Sequence, residues 1–122
     1  MINGFANETA PLTESELKAL PAVVERLKLA VGKDRAVFND QLRAITGLTS
    51  ARIRKLINYI RCTGQVPCLL ANSQGYYIAE KDSEILDYIN SLEGREIAIR
   101  EVRQSIEKQR VERWKNAQGS LF

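Results

Sequence analysis

The fold is decided by residues 39–78, which read NDQLRAITGLTSARIRKLINYIRCTGQVPCLLANSQGYYI. Two runs with helical periodicity meet at Gly47, a residue type that accepts the left-handed conformation in which helices commonly end. Thr49 follows as a capping residue for the second run, and Ile53 falls where that run must face a core. We therefore predict two helices joined by a tight turn.

After Gly64, which should end the second helix, the pattern changes to that of strands. Strand-forming residues occupy QVPCLLA (65–71) and YYIAE (76–80), with the turn sequence NSQG (72–75) between them. Helix, tight turn, helix and hairpin is the element order of a winged helix-turn-helix. We expect a mainly α fold with a small β-hairpin.

The N-terminal side supplies a further helical region. Thr13 and Glu16 have the spacing of a capping box, which predicts a helix start. Pro21 should break or restart this helix, because proline lacks the backbone donor that a helix interior needs. A second run should then end at Gly32. Residues 36–38 are either a brief strand or the lead-in to the next helix.

From Asp82 onwards the chain reads as one long C-terminal helix with an apolar seam. The seam residues that recur every seven positions are Ile85, Leu92, Ile99 and Ile106. Such a seam packs against something. Three alternatives stay open: the chain's own domain, a second copy in a homodimer, or a helical hairpin broken near Gly94.

These elements predict four regions. Residues 1–12 form an N-terminal arm, 13–80 the winged helix-turn-helix domain, 81–115 the long helix, and 116–122 a flexible tail.

The basic residues are concentrated on the second helix of the pair. The net charge is only +3, yet between Thr49 and Cys68 there are four basic residues and no acid. In winged domains this helix enters the major groove with its N-terminal half leading. The concentration of positive charge therefore predicts double-stranded DNA as a partner.

The predicted DNA contacts come from that helix and from the wing tip. They are Ser50, Arg52, Arg54, Lys55, Asn58 and Arg61 on the helix, and Asn72, Ser73 and Gln74 at the tip. Arg52 and Lys55 have the chemistry to read guanine, and Asn58 to read adenine. The other helix residues suit phosphates. The tip has no Arg or Lys, so we expect a weak contribution from the wing.

Other classes of function lack support in the composition. The chain has no histidine, and it shows no phosphate loop or nucleophile motif, so we expect no enzymatic activity, no cofactor and no metal. We interpret Cys62 and Cys68 as buried apolar residues. The absence of a secretory signal and of long apolar stretches predicts a cytoplasmic protein with no membrane span.

The helix ARIRKLINYIRC, the strand GQVPC and the wing GYY together resemble a group of small winged-helix proteins encoded by bacterial phages and prophages. The resemblance runs from the N-terminal arm to about residue 110. It implies the winged-helix fold and DNA binding, and it implies no particular biochemical activity.

The C-terminal sequence QGSLF resembles the pentapeptide with which bacterial proteins bind the sliding clamp, usually Q-L-[SD]-L-F. The resemblance implies that Gln118 is a polar anchor, Ser120 a spacer, and Leu121 and Phe122 apolar anchors. Gly119 departs from the usual leucine.

Three functions are compatible with these features. The first is a phage-type DNA-binding protein linked to replication through a clamp-binding tail. The second is a dimeric transcriptional regulator in which the tail is incidental. The third is an adaptor whose winged domain binds protein.

Overall fold

The computed structural model describes the backbone of residues 8–119 and the side chains of residues 8–117. The helices are α1 (Glu14–Lys28), α2 (Asn39–Thr46), α3 (Ser50–Thr63) and α4 (Asp82–Gly119), the strands are β1 (Leu69–Asn72) and β2 (Gly75–Ile78), and a 3-10 turn spans Lys33–Arg35. The chain divides into two compact units between Ile85 and Leu86. Three short helices, an antiparallel hairpin and a long last helix confirm the predicted fold class.

The turn between α2 and α3 forms as its residues require. Gly47 and Gly64 both have φ of +73°, the left-handed conformation that ends each helix. The Thr49 hydroxyl accepts a hydrogen bond from the Arg52 backbone N–H at 3.4 Å and caps α3. Ile53 is fully buried. The predicted helix-turn-helix geometry is therefore confirmed.

One core holds the first unit together. Its fully buried side chains come from α1, α2, α3 and the segments beside the hairpin, and they include Leu27, Val37, Leu42, Ile53, Leu56 and Ile60. Each such side chain contributes about 1.5–3 kcal/mol relative to an exposed one. The core therefore fixes α3 against α1 and α2.

The predicted hairpin is confirmed, but its strands are shorter than the predicted ranges 65–71 and 76–80, and a third segment joins the wing. β1 and β2 are antiparallel, with Leu69 paired to Ile78 and Asn72 to Gly75. On the other side of β2, Val37 and Tyr76 exchange two backbone hydrogen bonds, of 2.8 and 2.9 Å. Residues 36–38 thus include a brief strand contact before α2 begins.

Two expectations about α1 are wrong. The helix continues through Pro21, because Val23, Val24 and Leu27 anchor the following turns in the core and offset a cost of about 3 kcal/mol. It also ends at Lys28, before Gly32. The cause lies in the sheet, since residues 30–32 exchange backbone hydrogen bonds with Ile78.

The cysteines were expected to be buried and are exposed. Cys62 lies four residues after Asn58 on α3, and its thiol is 3.9 Å from the side-chain oxygen Oδ1 of Asn58. Cys68 precedes β1 with a φ of +59°.

The long helix is continuous from Asp82 to Gly119, so a helical hairpin broken near Gly94 is wrong. It also extends four residues into the segment predicted as a tail. Its seam residues Leu92, Ile99 and Ile106 are 42, 60 and 58% exposed. Among the described residues, no helix combines the length and apolar character needed to cross a membrane.

Candidate nucleic-acid interface

The first two turns of α3 present the exposed cations of the candidate interface. Arg52 and Arg54 are both exposed, and the first turn of the helix contains no acidic residue. Arg52 donates a hydrogen bond to the Ser15 hydroxyl at 3.3 Å, and Arg54 donates to the Ser50 hydroxyl at 3.0 Å. These acceptors are neutral, so they leave the charge of Arg52 uncompensated, whereas Arg54 Nε also lies 3.9 Å from Glu8 Oε1.

Lys55 does not belong to this exposed surface, and the prediction that it faces DNA is wrong. Its ammonium group donates to Glu16 Oε1 at 2.7 Å, and Lys55 and Glu16 are only 9 and 1% exposed. The cause is the packing of α1 on α3, which brings an acid from 39 positions upstream onto the polar side of the helix. To contact a base, Lys55 would have to break its ion pair with Glu16.

Glu16 is held as a carboxylate by several donors. Burial opposes its ionisation, but the hydrogen bonds from Lys55 and from the Thr13 backbone and hydroxyl outweigh burial and lower the pKa of Glu16 below its ordinary value. The same Oε1 accepts from the Thr13 N–H at 2.7 Å. The predicted capping box is therefore confirmed, and it also orients the carboxylate toward Lys55.

A second acid lies over the middle of α3. The Asn58 amide donates to the Glu8 backbone carbonyl at 3.3 Å, and Glu8 Oε1 is 3.9 Å from Arg54 Nε. We call residues 8–16 the N-terminal acidic segment. It runs along the polar face of α3 from the first turn, where Ser15 contacts Arg52, to the third turn. Asn58 therefore uses within the chain the amide that was predicted to read adenine.

The remaining predicted positions are Arg61 near the end of α3 and three residues at the wing tip. Arg61 is half-buried, whereas Asn72, Ser73 and Gln74 are exposed at the tip. The tip is shaped by the Asn72 side-chain oxygen, which accepts from the Gln74 N–H at 2.8 Å. At its base, the Tyr76 hydroxyl accepts from the Asn39 amide at 3.4 Å and ties the wing to α2.

Sequence reasoning missed Glu8 and Glu16 as part of this site. Glu16 was recognised as a capping residue, but nothing in its local spacing indicates a partner on α3. Glu8 lies in a segment predicted to be an irregular arm.

The predicted clamp-binding residues lie outside this description. Ser120, Leu121 and Phe122 are beyond the described residues, and so is the side chain of Gln118. Within residues 8–117, no group of three or more potential metal ligands comes together.

No protein-family model matches the chain, and neither a curated protein nor a solved structure shows significant similarity to it. The winged helix-turn-helix assignment therefore stands on the geometry alone.

Proposed function

We propose that this chain binds double-stranded DNA through the first two turns of α3, with the wing tip beside them. One observation carries the proposal: Arg52 and Arg54 are exposed at the end of the helix that leads into the major groove in domains of this fold. The resemblance to phage and prophage winged-helix proteins supports the same function.

The charges of the site favour phosphate contacts over extensive base reading. Arg52 is the remaining exposed candidate for guanine, because Lys55 and Asn58 are engaged by the acidic segment. Arg54 suits a phosphate, where it adds affinity without sequence information. We therefore expect strong salt dependence and modest discrimination between DNA sequences.

A titration of a labelled duplex, followed by fluorescence anisotropy at several salt concentrations, tests the proposal. The double variant Arg52→Gln/Arg54→Gln should bind more weakly and reduce the slope of log K against log [salt] by roughly 1 for the lost phosphate contact of Arg54, while the loss of Arg52 weakens binding to the base it reads. The control Arg100→Gln/Lys108→Gln removes the same charge from exposed positions of α4 and should change the slope less.

Equal losses in both double variants would show that net charge, and not α3, determines binding. Absence of salt-dependent binding by the wild type would favour the adaptor function, in which the winged domain binds protein.

The link to replication is a separate part of the proposal and depends on the QGSLF sequence. Its test is capture of a bacterial sliding clamp by the full chain and by a variant that ends at Ala117. A clamp-binding tail requires that the truncation abolish capture, while DNA binding stays unchanged. Equal capture would remove the replication link and leave the dimeric regulator.

A further inference from the structure

The most extensive exposed apolar surface in the described chain lies on α4. Four of its exposed apolar residues lie on the heptad seam, Leu92, Ile99, Val102 and Ile106, and five lie at other positions around the helix, Leu86, Ile89, Ile97, Val111 and Trp114; all nine are 42–65% exposed. A helix in a protein gains most of its stability from packing its apolar face against another element. Among the described residues, the unit that begins at Leu86 consists of this helix alone. A second element is therefore needed to cover the apolar residues of the helix.

The spacing of the seam identifies the kind of element that covers it. Leu92, Ile99 and Ile106 occupy one heptad position, and Val102 occupies the position three residues after Ile99. A seven-residue apolar repeat matches another helix with the same repeat, because only a supercoiled partner remains in contact over several turns. A second copy of α4 has the same seven-residue repeat, because its sequence is identical.

The polar residues of the seam distinguish the two orientations of such a pair. Arg95 and Gln109 share the heptad position of Val102. A parallel, in-register pair would place Arg95 beside Arg95 of the second copy, with two like charges in a desolvated seam. In an antiparallel pair centred between Ile99 and Val102, Arg95 lies opposite Ile106 and can extend its guanidinium to solvent.

The flanking charges agree with the antiparallel orientation. In that register Glu96 faces Arg103 of the second copy, and symmetry repeats the pair. In the parallel register Glu96 faces Ser91, and Arg103 faces Ala98, so neither has a partner. Arg103 already donates to Glu107 within its own helix at 2.8 Å, but a guanidinium has five donors and can bridge both acids.

We infer that α4 forms an antiparallel coiled-coil homodimer, in which Ile99 packs on Val102 of the second copy and Glu96 pairs with Arg103. The dimer does not depend on DNA binding. Because helical residues rise 1.5 Å each, the two Asp82 ends lie about 55 Å apart along the coiled-coil axis. A parallel dimer would bring them within about 10 Å, the usual distance between packed helices.

Distance measurement between spin labels tests the orientation. In a Cys62→Ser/Cys68→Ser background, a label at Ser83→Cys should give a distance of about 50 Å or more, and one at Gln104→Cys a distance of about 20 Å or less. Short distances at both sites would overturn the antiparallel arrangement. Absence of any dipolar coupling, with a monomer mass in sedimentation equilibrium, would overturn the dimer.

A charge exchange tests the pairing itself. Glu96→Arg and Arg103→Glu should each raise the dimer dissociation constant roughly tenfold, since each places like charges together twice, and the double variant should recover most of the affinity. The control Glu93→Arg makes the same charge change at an exposed position outside the seam. Additive losses in the double variant would refute the pairing, provided that circular dichroism shows equal helix content.

Discussion

The buried Glu16–Lys55 pair should be a major source of stability for the first unit, and Glu16→Gln tests this. Glutamine keeps the size of the side chain and the acceptor that the capping box needs. It removes the negative charge 2.7 Å from the Lys55 ammonium. The substitution therefore isolates the interaction between α1 and α3 from the start of α1.

The structure sets the expected magnitude. Removing one partner of a fully buried ion pair costs about 3–5 kcal/mol. The cost should be smaller here, about 2–3 kcal/mol, since glutamine still accepts a hydrogen bond and a bond to a charged group contributes about 1.5–3 kcal/mol. The unit ends at Ile85, and a domain of that size has about 4–13 kcal/mol of total stability. The loss would thus be a large share of the total.

The dependence on pH has a definite sign. The pKa of Glu16 is lower in the folded chain than its ordinary value of 4.5, so the pair stabilises the fold above that value. The contribution is lost as the pH falls through the lower, folded value. The difference in unfolding free energy between wild type and Glu16→Gln should therefore be constant near neutrality and narrow as the pH falls below 4.5.

Native-state hydrogen exchange of the slowest amides in α3 measures the effect without interference from α4. Glu25→Gln is the matched control, because it makes the same substitution in the same helix and removes a 3.4 Å pair with Lys28 whose side chains are 53 and 75% exposed. The loss of unfolding free energy in Glu25→Gln should stay below about 0.5 kcal/mol. Equal losses in both variants, or a deficit for Glu16→Gln that does not narrow as the pH falls below 4.5, would refute the reasoning.

Three further outcomes are expected. If α3 binds DNA, Glu8→Gln should tighten binding about two- to fivefold at low salt, because it removes a nearby anion; unchanged affinity in the anisotropy titration would contradict this. Gly75→Ala should lower the unfolding free energy by about 2–3 kcal/mol in thermal or urea melts, because φ is +124° and a Cβ would collide with the Val37 carbonyl oxygen; a loss under about 0.5 kcal/mol would count against that contact. Cys62 and Cys68 are exposed, so both should react with Ellman's reagent in the folded protein, and protection of either thiol would contradict the structure.

Features fixed by neighbouring residues could be predicted from the sequence. The left-handed glycines at positions 47 and 64, the Thr13–Glu16 capping box and the Thr49 cap are each decided within about four residues along the chain. The hairpin follows from its turn sequence in the same way. These features were enough for the order of elements and therefore for the fold class.

Features that depend on distant contacts could not be predicted. Pro21 breaks an isolated helix, but α1 is held by the half-buried Ala19 and Leu20 before it and by buried core side chains after it. Gly32 is a residue type that commonly ends helices, yet α1 ends earlier because residues 30–32 pair with Ile78 in the sheet. In both cases tertiary packing outweighs a local preference of a few kcal/mol.

The candidate site differs from its prediction for an electrostatic reason. The absence of acids between Thr49 and Cys68 is a property of the sequence, whereas a DNA surface responds to charges that are close in space. Glu8 and Glu16 are far from α3 along the chain and lie within 4 Å of its cations. Local charge counts therefore overestimated the positive potential over the middle of α3.

The position of the acidic segment limits where DNA can bind. The carboxylates of Glu8 and Glu16 lie beside Arg54 and Lys55 in the second turn of α3, so a phosphate approaching Lys55 would meet negative charge and have to break a buried ion pair. An approach at Ser50 and Arg52 meets neither obstacle. If the chain binds DNA, the contact should therefore concentrate at the N-terminal end of the helix, which is the end that leads into the major groove in this fold.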